Sequence, residues 1–310
     1  MRPLRIGSRG SVLARWQAEA IRDRLARLTG VPAEIVFIKT SGDRFQQAKI
    51  DQIGLKGVFI KELEDALLEG RVDLAVHSMK DVPTQIPAGL AFPAICQRED
   101  VRDSLVAASG AKLAQLSAGA RVGTSSLRRQ AQLRHHRPDL DLRELRGNVD
   151  TRLRKLERGD YDAIVLAKAG LDRLGWSDRI TEVIPIEVCL PAVGQGALGI
   201  ESRADDPEVA DLLRQLDHRE TRAAVTSERA LLAELEGGCQ VPMGAWARVE
   251  HGELVLEACV LSVDGADYIR KRVAGSPLEP EALGCALARS LVAAGADRIL
   301  RLTGRNVGKH

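Results

Sequence analysis

Arginines gathered at the starts of helices are the first feature of this sequence with chemical consequence. Between Arg121 and Arg158 the chain carries ten Arg and one Lys against five carboxylates, a local excess of six positive charges. In GTSSLRRQ, Thr124, Ser125 and Ser126 follow a strand-like run and supply helix-capping hydroxyls, which puts Arg128 and Arg129 in the first turns of a helix. RGNVDTR repeats the arrangement: Arg146 and Gly147 leave a strand, Asn148 is the natural N-cap, and Arg152 sits one turn in. SRGS echoes it with Ser8, Arg9 and Ser11. Cations there oppose the positive end of the helix dipole. A polyanionic ligand satisfies both, because free backbone N–H groups and bidentate guanidinium groups each favour carboxylate or phosphate. The alternative is a solvated basic helix face.

HSMKDVP, residues 77 to 83, follows the apolar strand VDLAV and places Ser78, Lys80 and Asp81 at its carboxyl end, ahead of Pro83. In open α/β sheets that edge lines the ligand crevice. A carboxylate ringed by basic groups stays ionised and can exchange protons with a cationic nitrogen or stabilise it, which marks Asp81; a Lys80–Asp81 surface pair or an Asx turn is the plain alternative. Cys239 lies on the glycine-flanked turn EGGCQVPMG, as a nucleophile, a covalent attachment point or a buried thiol. The other cysteines, Cys96, Cys189, Cys259 and Cys285, sit in apolar runs and read as small buried hydrophobes.

Two patterns are decoys. Gly194-x-Gly196-x-x-Gly199 has dinucleotide-fingerprint spacing but follows Pro191 and leads into an apolar strand instead of a helix. The six histidines show no metal-ligand spacing, and His135-His136 are adjacent on a helix, so no metal is expected.

The elements that must position these residues alternate in α/β fashion. LRIG reads as a strand, followed by a helix with Leu13, Trp16 and Ala20 beside Val12, Ile21, Leu25 and Leu28 at helical spacing. EIVFIK is a second strand, Phe59, Ile60, Leu63, Ala66 and Leu67 mark a helix ended by Gly70, and VDLAV is a third strand. The same grammar restarts with strand ARVG, a helix from Ser125, strand LDLREL, a helix after Asn148 and strand YDAIVLA. LGIES, after Ala197, reads as a strand returning to the first sheet, with hinges at 97 to 103 and 190 to 197. Beyond Arg219 the order becomes a helix, strands AWARVE, ELVLEACVLS and DYIRKRV, and a last helix through Leu283, Leu287 and Leu291, with GRNVGKH frayed. The domains expected are 1–96 with 197–215 (α/β), 103–190 (α/β, Arg-rich) and 219–310 (α+β, carrying the Cys239 loop).

The 310 residues are 45% hydrophobic and 28% charged with net charge +2, a globular profile without the basicity of a general nucleic-acid binder. Aromatics at 3% leave few rings to stack on bases. No stretch reaches the roughly 18 uninterrupted apolar residues of a membrane span. Arg2, Arg5 and Arg9 stand where a signal peptide needs its apolar region, so a cytoplasmic protein with reduced thiols is expected.

IGSRGS, GVFIKELEDALLEGRVDLAVHSMKDVP, VGTSSLRRQAQL, LRGNVDTRLRKL, YDAIVLAKAGLDRLG, LPAVGQGALGIE and LEGGCQVPMGA, in this order from residue 6 to 245, closely resemble the hydroxymethylbilane synthase family, also called porphobilinogen deaminase. The resemblance implies two α/β domains similar to type II periplasmic binding proteins plus a small α+β domain. It implies a monomeric enzyme that joins four porphobilinogen units head to tail with release of ammonia and then hydrolyses the chain to hydroxymethylbilane. It also implies a dipyrromethane cofactor held by a thioether at the position of Cys239.

By the same resemblance Asp81 matches the catalytic carboxylate, and Ser11, Lys80, Asp81, Thr124, Ser126, Arg128, Arg129, Arg146 and Gly147 match cofactor-binding positions. Arg9, Arg146, Arg152 and Arg173 match substrate-binding positions, Lys56 and Phe59 the active-site loop, and Gln195 the inter-domain turn. Gly10 and Val12 stand where many members have Gln and Pro. The rival readings, an anion-binding receptor on the same plan or a nucleic-acid binder, have no use for Cys239 with Asp81 or predict strongly salt-dependent binding, respectively.

Overall fold

The computed structural model describes residues 2–40, 60–235 and 242–306, with side chains to residue 301. In chain order, the elements are β1 (Leu4–Ser8), α1 (Val12–Thr29), β2 (Ala33–Phe37), α2 (Lys61–Leu68), β3 (Leu74–Ser78), β4 (Leu90–Ile95), β5 (Asp103–Ala107), β6 (Arg121–Gly123), α3 (Leu127–His136), β7 (Asp141–Arg143), α4 (Val149–Glu157), β8 (Ala163–Ala167), α5 (Lys168–Arg173) and β9 (Glu182–Val183). There follow β10 (Leu198–Arg203), α6 (Pro207–Arg214), α7 (Arg219–Glu234), β11 (Met243–Glu250), β12 (Glu253–Leu261), β13 (Tyr268–Gly275), α8 (Pro280–Ala293) and α9 (Ala296–Asn306).

The chain divides into two compact units, residues 1–98 with 197–222, and 99–196 with 223–310. In the first, a five-stranded sheet has the order β2-β1-β3-β10-β4, with β1 parallel to β2 and β3, and β10 antiparallel to β3 and β4. LGIES therefore does return to the first sheet. Period-two alternation sends Leu74 and Val76 of β3 to one face, against Ile21 and Leu25 of α1 and Leu213 of α6, and Ala75 to the other, against Leu63 and Leu67 of α2. Val12 and Leu28 are exposed, so only part of the apolar spacing in α1 marks core.

The second unit holds a sheet of order β7-β6-β8-β5-β9 in which β6 is parallel to β7 and β8, and β5 antiparallel to β8 and β9. Position for position this is the order of the first sheet: in each, the fourth strand runs against the third. Two mixed α/β sheets of this order, each with an inserted antiparallel strand, have the plan of type II periplasmic binding proteins. A shared ion-pair clasp marks the equivalence. Arg5 of β1 donates through its backbone N–H, Nε and Nη2 to Asp73, just before β3; Arg121 of β6 does the same to Asp162, just before β8.

A three-stranded antiparallel sheet, β11-β12-β13, completes the second unit. One face packs Leu254, Leu256 and Val260 against Leu231 of α7, Leu287 and Leu291 of α8 and Ile299 of α9; Cys259 and Leu261 on the other meet Ala131 of α3 and Leu190. The expectation of a single last helix fails: after Gly295, at φ +99°, the backbone resumes helix through Asn306, so Gly304 to Asn306 belong to α9. Residues 307–310 lie outside the described residues.

Candidate functional site

In the first unit the candidate residues stand at the carboxyl ends of β1 and β3. Ser11 caps α1, its Oγ accepting from Ala14 N–H at 3.3 Å, and Arg9 lies in the β1–α1 link. β3 passes directly into a single 3-10 turn, Met79–Asp81, which leaves Lys80 half-buried and Asp81 exposed. Three contacts place that turn. Gln17 of α1 donates to Ser78 Oγ at 3.1 Å, Met79 N–H donates to Ala197 O at 3.0 Å, and the buried Met79 side chain sits where Gly199 of β10 leaves room: a Cβ there would lie 2.2 Å from its Sδ. Beneath the turn His77 Nε2 lies 2.9 Å from Glu201 Oε2, both buried.

In the second unit the arginines divide by environment, and the expectation that three hydroxyls cap α3 needs correction. Ser126 alone caps it, accepting from Arg129 N–H; Thr124 Oγ1 accepts from Ser126 N–H, and Ser125 Oγ donates to Leu145 O. Arg128 and Arg129 are not splayed over the helix start but turned inward, each only 5% exposed. Arg128 Nη1 contacts Asp103 Oδ2 at 2.7 Å and donates to Leu190 O at 2.6 Å; Arg129 Nη2 contacts Asp103 Oδ1 at 2.7 Å and Nη1 donates to Val165 O at 3.0 Å. Burial pushes the Asp103 carboxyl upward, but the two guanidinium charges outweigh it and hold the group well below the usual carboxylate range. The Nε–H groups of Arg128 and Arg129 are buried and have no hydrogen-bond partner among the described residues.

The remaining arginines are less enclosed or otherwise engaged. Arg146 pairs with Glu144 at 2.6 Å, and Arg152 Nε donates to Gly147 O at 2.7 Å. Gly147 is at φ +117° with Thr151 Cγ2 only 2.7 Å from where a Cβ would stand, so glycine alone fits this link. Asn148 is the N-cap of α4 by backbone position, but its side chain makes no capping bond. Arg173, 6% exposed, contacts Glu99 Oε1 at 3.0 Å and donates to Gly196 O at 2.9 Å.

Cys239, Lys56 and Phe59 lie outside the described residues. Cys96, Cys189 and Cys259 are buried as expected, whereas Cys285 is only partly so. Burial pushes the Cys189 thiol up to about 12 and that of Cys259 to about 11, which leaves both unreactive.

Two family models match the chain: the dipyromethane cofactor binding domain of porphobilinogen deaminase over residues 4–211 and the C-terminal domain of porphobilinogen deaminase over 222–293. This chain belongs to the porphobilinogen deaminase family. Porphobilinogen deaminase of Pelotomaculum thermopropionicum is 52% identical over 301 residues, 97% of this chain and 96% of that protein. The porphobilinogen deaminase of Desulforudis audaxviator is 54% identical over 95% of this chain and 96% of its own. A periplasmic substrate-binding protein of an ABC transporter from Coxiella burnetii overlaps 69% of this chain at TM-score 0.43 and 15% identity; the fold assignment stands on the strand order.

For a porphobilinogen deaminase, the residue that sequence reasoning missed is Asp103. It carries no motif and lies 25 positions from Arg128, so only the antiparallel placement of β5 beside β8 brings it under α3. The buried His77–Glu201 pair was missed likewise, since its partners come from β3 and the returning β10.

Proposed function

We propose that this chain performs the porphobilinogen deaminase reaction with the residues just described. It condenses four porphobilinogen molecules head to tail on a dipyrromethane cofactor, releases ammonia at each addition, and hydrolyses the product to hydroxymethylbilane. The observation that carries this reading is the family match running from residue 4 to 293 with relatives of the same activity more than 50% identical along nearly the whole chain.

The donor set fits such a cofactor. Pyrroles of this class bear acetate and propionate groups, and Arg128 and Arg129 keep buried Nε–H groups without partners among the described residues, a surplus that suits a carboxylate. When bound, the dipyrromethane would supply the free pyrrole carbon to which the first ring of the head-to-tail chain is joined. In this reading Cys239 holds it by a thioether, while Ser11, Lys80, Thr124, Ser126, Arg128, Arg129, Arg146 and Gly147 bind its polar groups. Arg9, Arg146, Arg152 and Arg173 bind substrate carboxylates, and Lys56 and Phe59 act in substrate handling as the positions that match the family's active-site loop. Asp81, an exposed carboxylate at the end of a buried strand, accepts hydrogen bonds from pyrrole N–H groups and stabilises positive charge as ammonia departs.

The separate cores of the second sheet and of β11-β12-β13 support three domains, 1–96 with 197–215, 103–190 and 219–310. We further propose a cytoplasmic monomer; no helix among the described residues is long and apolar enough to cross a membrane.

Intact mass spectrometry of the native protein beside Cys239→Ala tests the reading. A mass excess of one dipyrromethane, absent from the variant, is expected. Unmodified protein that gains no adduct on addition of porphobilinogen would favour a plain anion-binding protein.

A further inference from the structure

Four donors of the second unit, two from α3 and two from the link after β9, converge on one carboxylate. Asp103 Oδ1 accepts from Arg129 Nη2 at 2.7 Å and from Gln195 Nε2 at 2.9 Å; Oδ2 accepts from Arg128 Nη1 at 2.7 Å and from Cys189 Sγ at 3.4 Å. The residue is wholly buried and begins β5, where its own backbone is fixed by Ile184 N–H donating to Asp103 O at 2.9 Å. Gln195 is anchored in turn by a second bond to Val101 O at 2.7 Å. Nothing at this carboxylate is free to move alone.

We propose that Asp103 is a positioning residue: it acts through Arg128 and Arg129, fixing both guanidinium planes and setting the charge of the site they form. The inference rests on the assignment of those two arginines to cofactor carboxylates. Two features of the cluster support it. First, long arginine side chains lose considerable rotamer freedom when a ligand orders them, and here that ordering is complete in advance because each guanidinium is bound to Asp103 and to a backbone carbonyl. Second, one carboxylate faces two guanidinium groups, so among the described residues the cluster holds a single positive charge without a paired anion and two buried Nε–H groups without partners. A buried excess charge is costly until an anion meets it. Asp103 thus makes the pair a receptor for one carboxylate and prevents it from acting as an unselective doubly charged anion trap.

The test is Asp103→Asn beside wild type, purified as expressed. The adduct fraction is read by intact mass, the rate of adduct formation in unmodified protein is read after adding porphobilinogen, and folding is followed by circular dichroism well below the melting temperature. Folded Asp103→Asn should load at least about tenfold more slowly than wild type, the scale expected for a lost charge-assisted hydrogen bond. Introduced into an Arg128→Gln/Arg129→Gln background, the same change should add little to the loading defect, because Asp103 acts through those two arginines; a merely structural role would lower the melting temperature in both backgrounds and leave loading of the folded protein intact. Should Asp103→Asn not fold, Gln195→Met removes one donor to Oδ1 while keeping every charge, and a smaller slowing of loading is expected. Loading of folded Asp103→Asn at the wild-type rate, or of Gln195→Met where it must substitute, overturns the proposal. Wild-type protein that never takes an adduct instead removes the underlying reading, and this inference with it.

Discussion

Asp103 and Arg128 meet at 2.7 Å with the carboxylate fully buried and the guanidinium nearly so. A pair sealed in this way is stable only while complete. Arg128→Met deletes one charge and leaves Leu190 O and one side of the Asp103 carboxylate without a donor from this residue. Destabilisation on the order of 3 kcal/mol is expected, the range seen when one partner of a buried pair is removed. Urea unfolding of variant and wild type measures it, and a loss well under 1 kcal/mol would mean that Arg129 alone suffices to hold Asp103.

Asp81 sits differently, exposed at the end of a buried strand, so its role is separable from stability. Asp81→Asn preserves shape and removes charge. We expect the cofactor to be retained by intact mass, the melting temperature to stay near that of wild type, and turnover of porphobilinogen to fall on the order of 100-fold or more, as for other positioned acid–base or charge-stabilising groups. Near-normal turnover would take Asp81 out of the chemistry.

Most of the framework was legible because its determinants are local. The alternation in LRIG, VDLAV and YDAIVLA marks buried strands, and the apolar run after Ala197 had to pair somewhere, which the first sheet provides. Inward rotation of Arg128 and Arg129 was not legible. Their spacing from Ser126 indicates a helix start, but whether a guanidinium faces solvent or core depends on a carboxylate 25 residues earlier, brought close only by the order of strands in the sheet. Helix α9 was missed for a local reason: Gly295 reads as a terminus, and it is one, yet the chain restarts a helix at the next residue.

The glycine pattern near residue 196 also resolves into packing. Gly199 belongs to β10, and a Cβ added there would meet Met79 Sδ at 2.2 Å and the Phe92 ring at 2.9 Å. Met79 opens the turn that ends at Asp81. Gly199→Ala should therefore cost about 1–3 kcal/mol in stability as an overpacked core position and lower turnover beyond that by displacing the turn. Kinetics at a temperature where the variant is fully folded separate the two effects; a destabilised variant with unchanged kcat would show that Met79 can shift without carrying Asp81.

Acid should weaken the fold through the duplicated clasps. Hydrogen bonds from the Arg121 side chain and backbone hold the Asp162 carboxyl at about 2; at Asp73 burial pushes the group upward, but hydrogen bonds from Arg2 and Arg5 outweigh it and leave it lower still. A carboxylate whose folded value lies below its unfolded value of about 3.9 binds fewer protons in the native state, so stability rises with pH across that interval. The contribution is therefore complete above about pH 5 and is lost as pH falls through about 4 toward 2, with Asp73 and Asp103 extending the loss further down. Exposure of the Asp162 pair to solvent makes its share the smaller. Urea midpoints measured from pH 6 to 2 should decline on the acid side, and Asp73→Asn should be less stable at neutral pH yet show a shallower decline. An equally steep decline in that variant would place the acid sensitivity elsewhere than in the Arg5–Asp73 clasp.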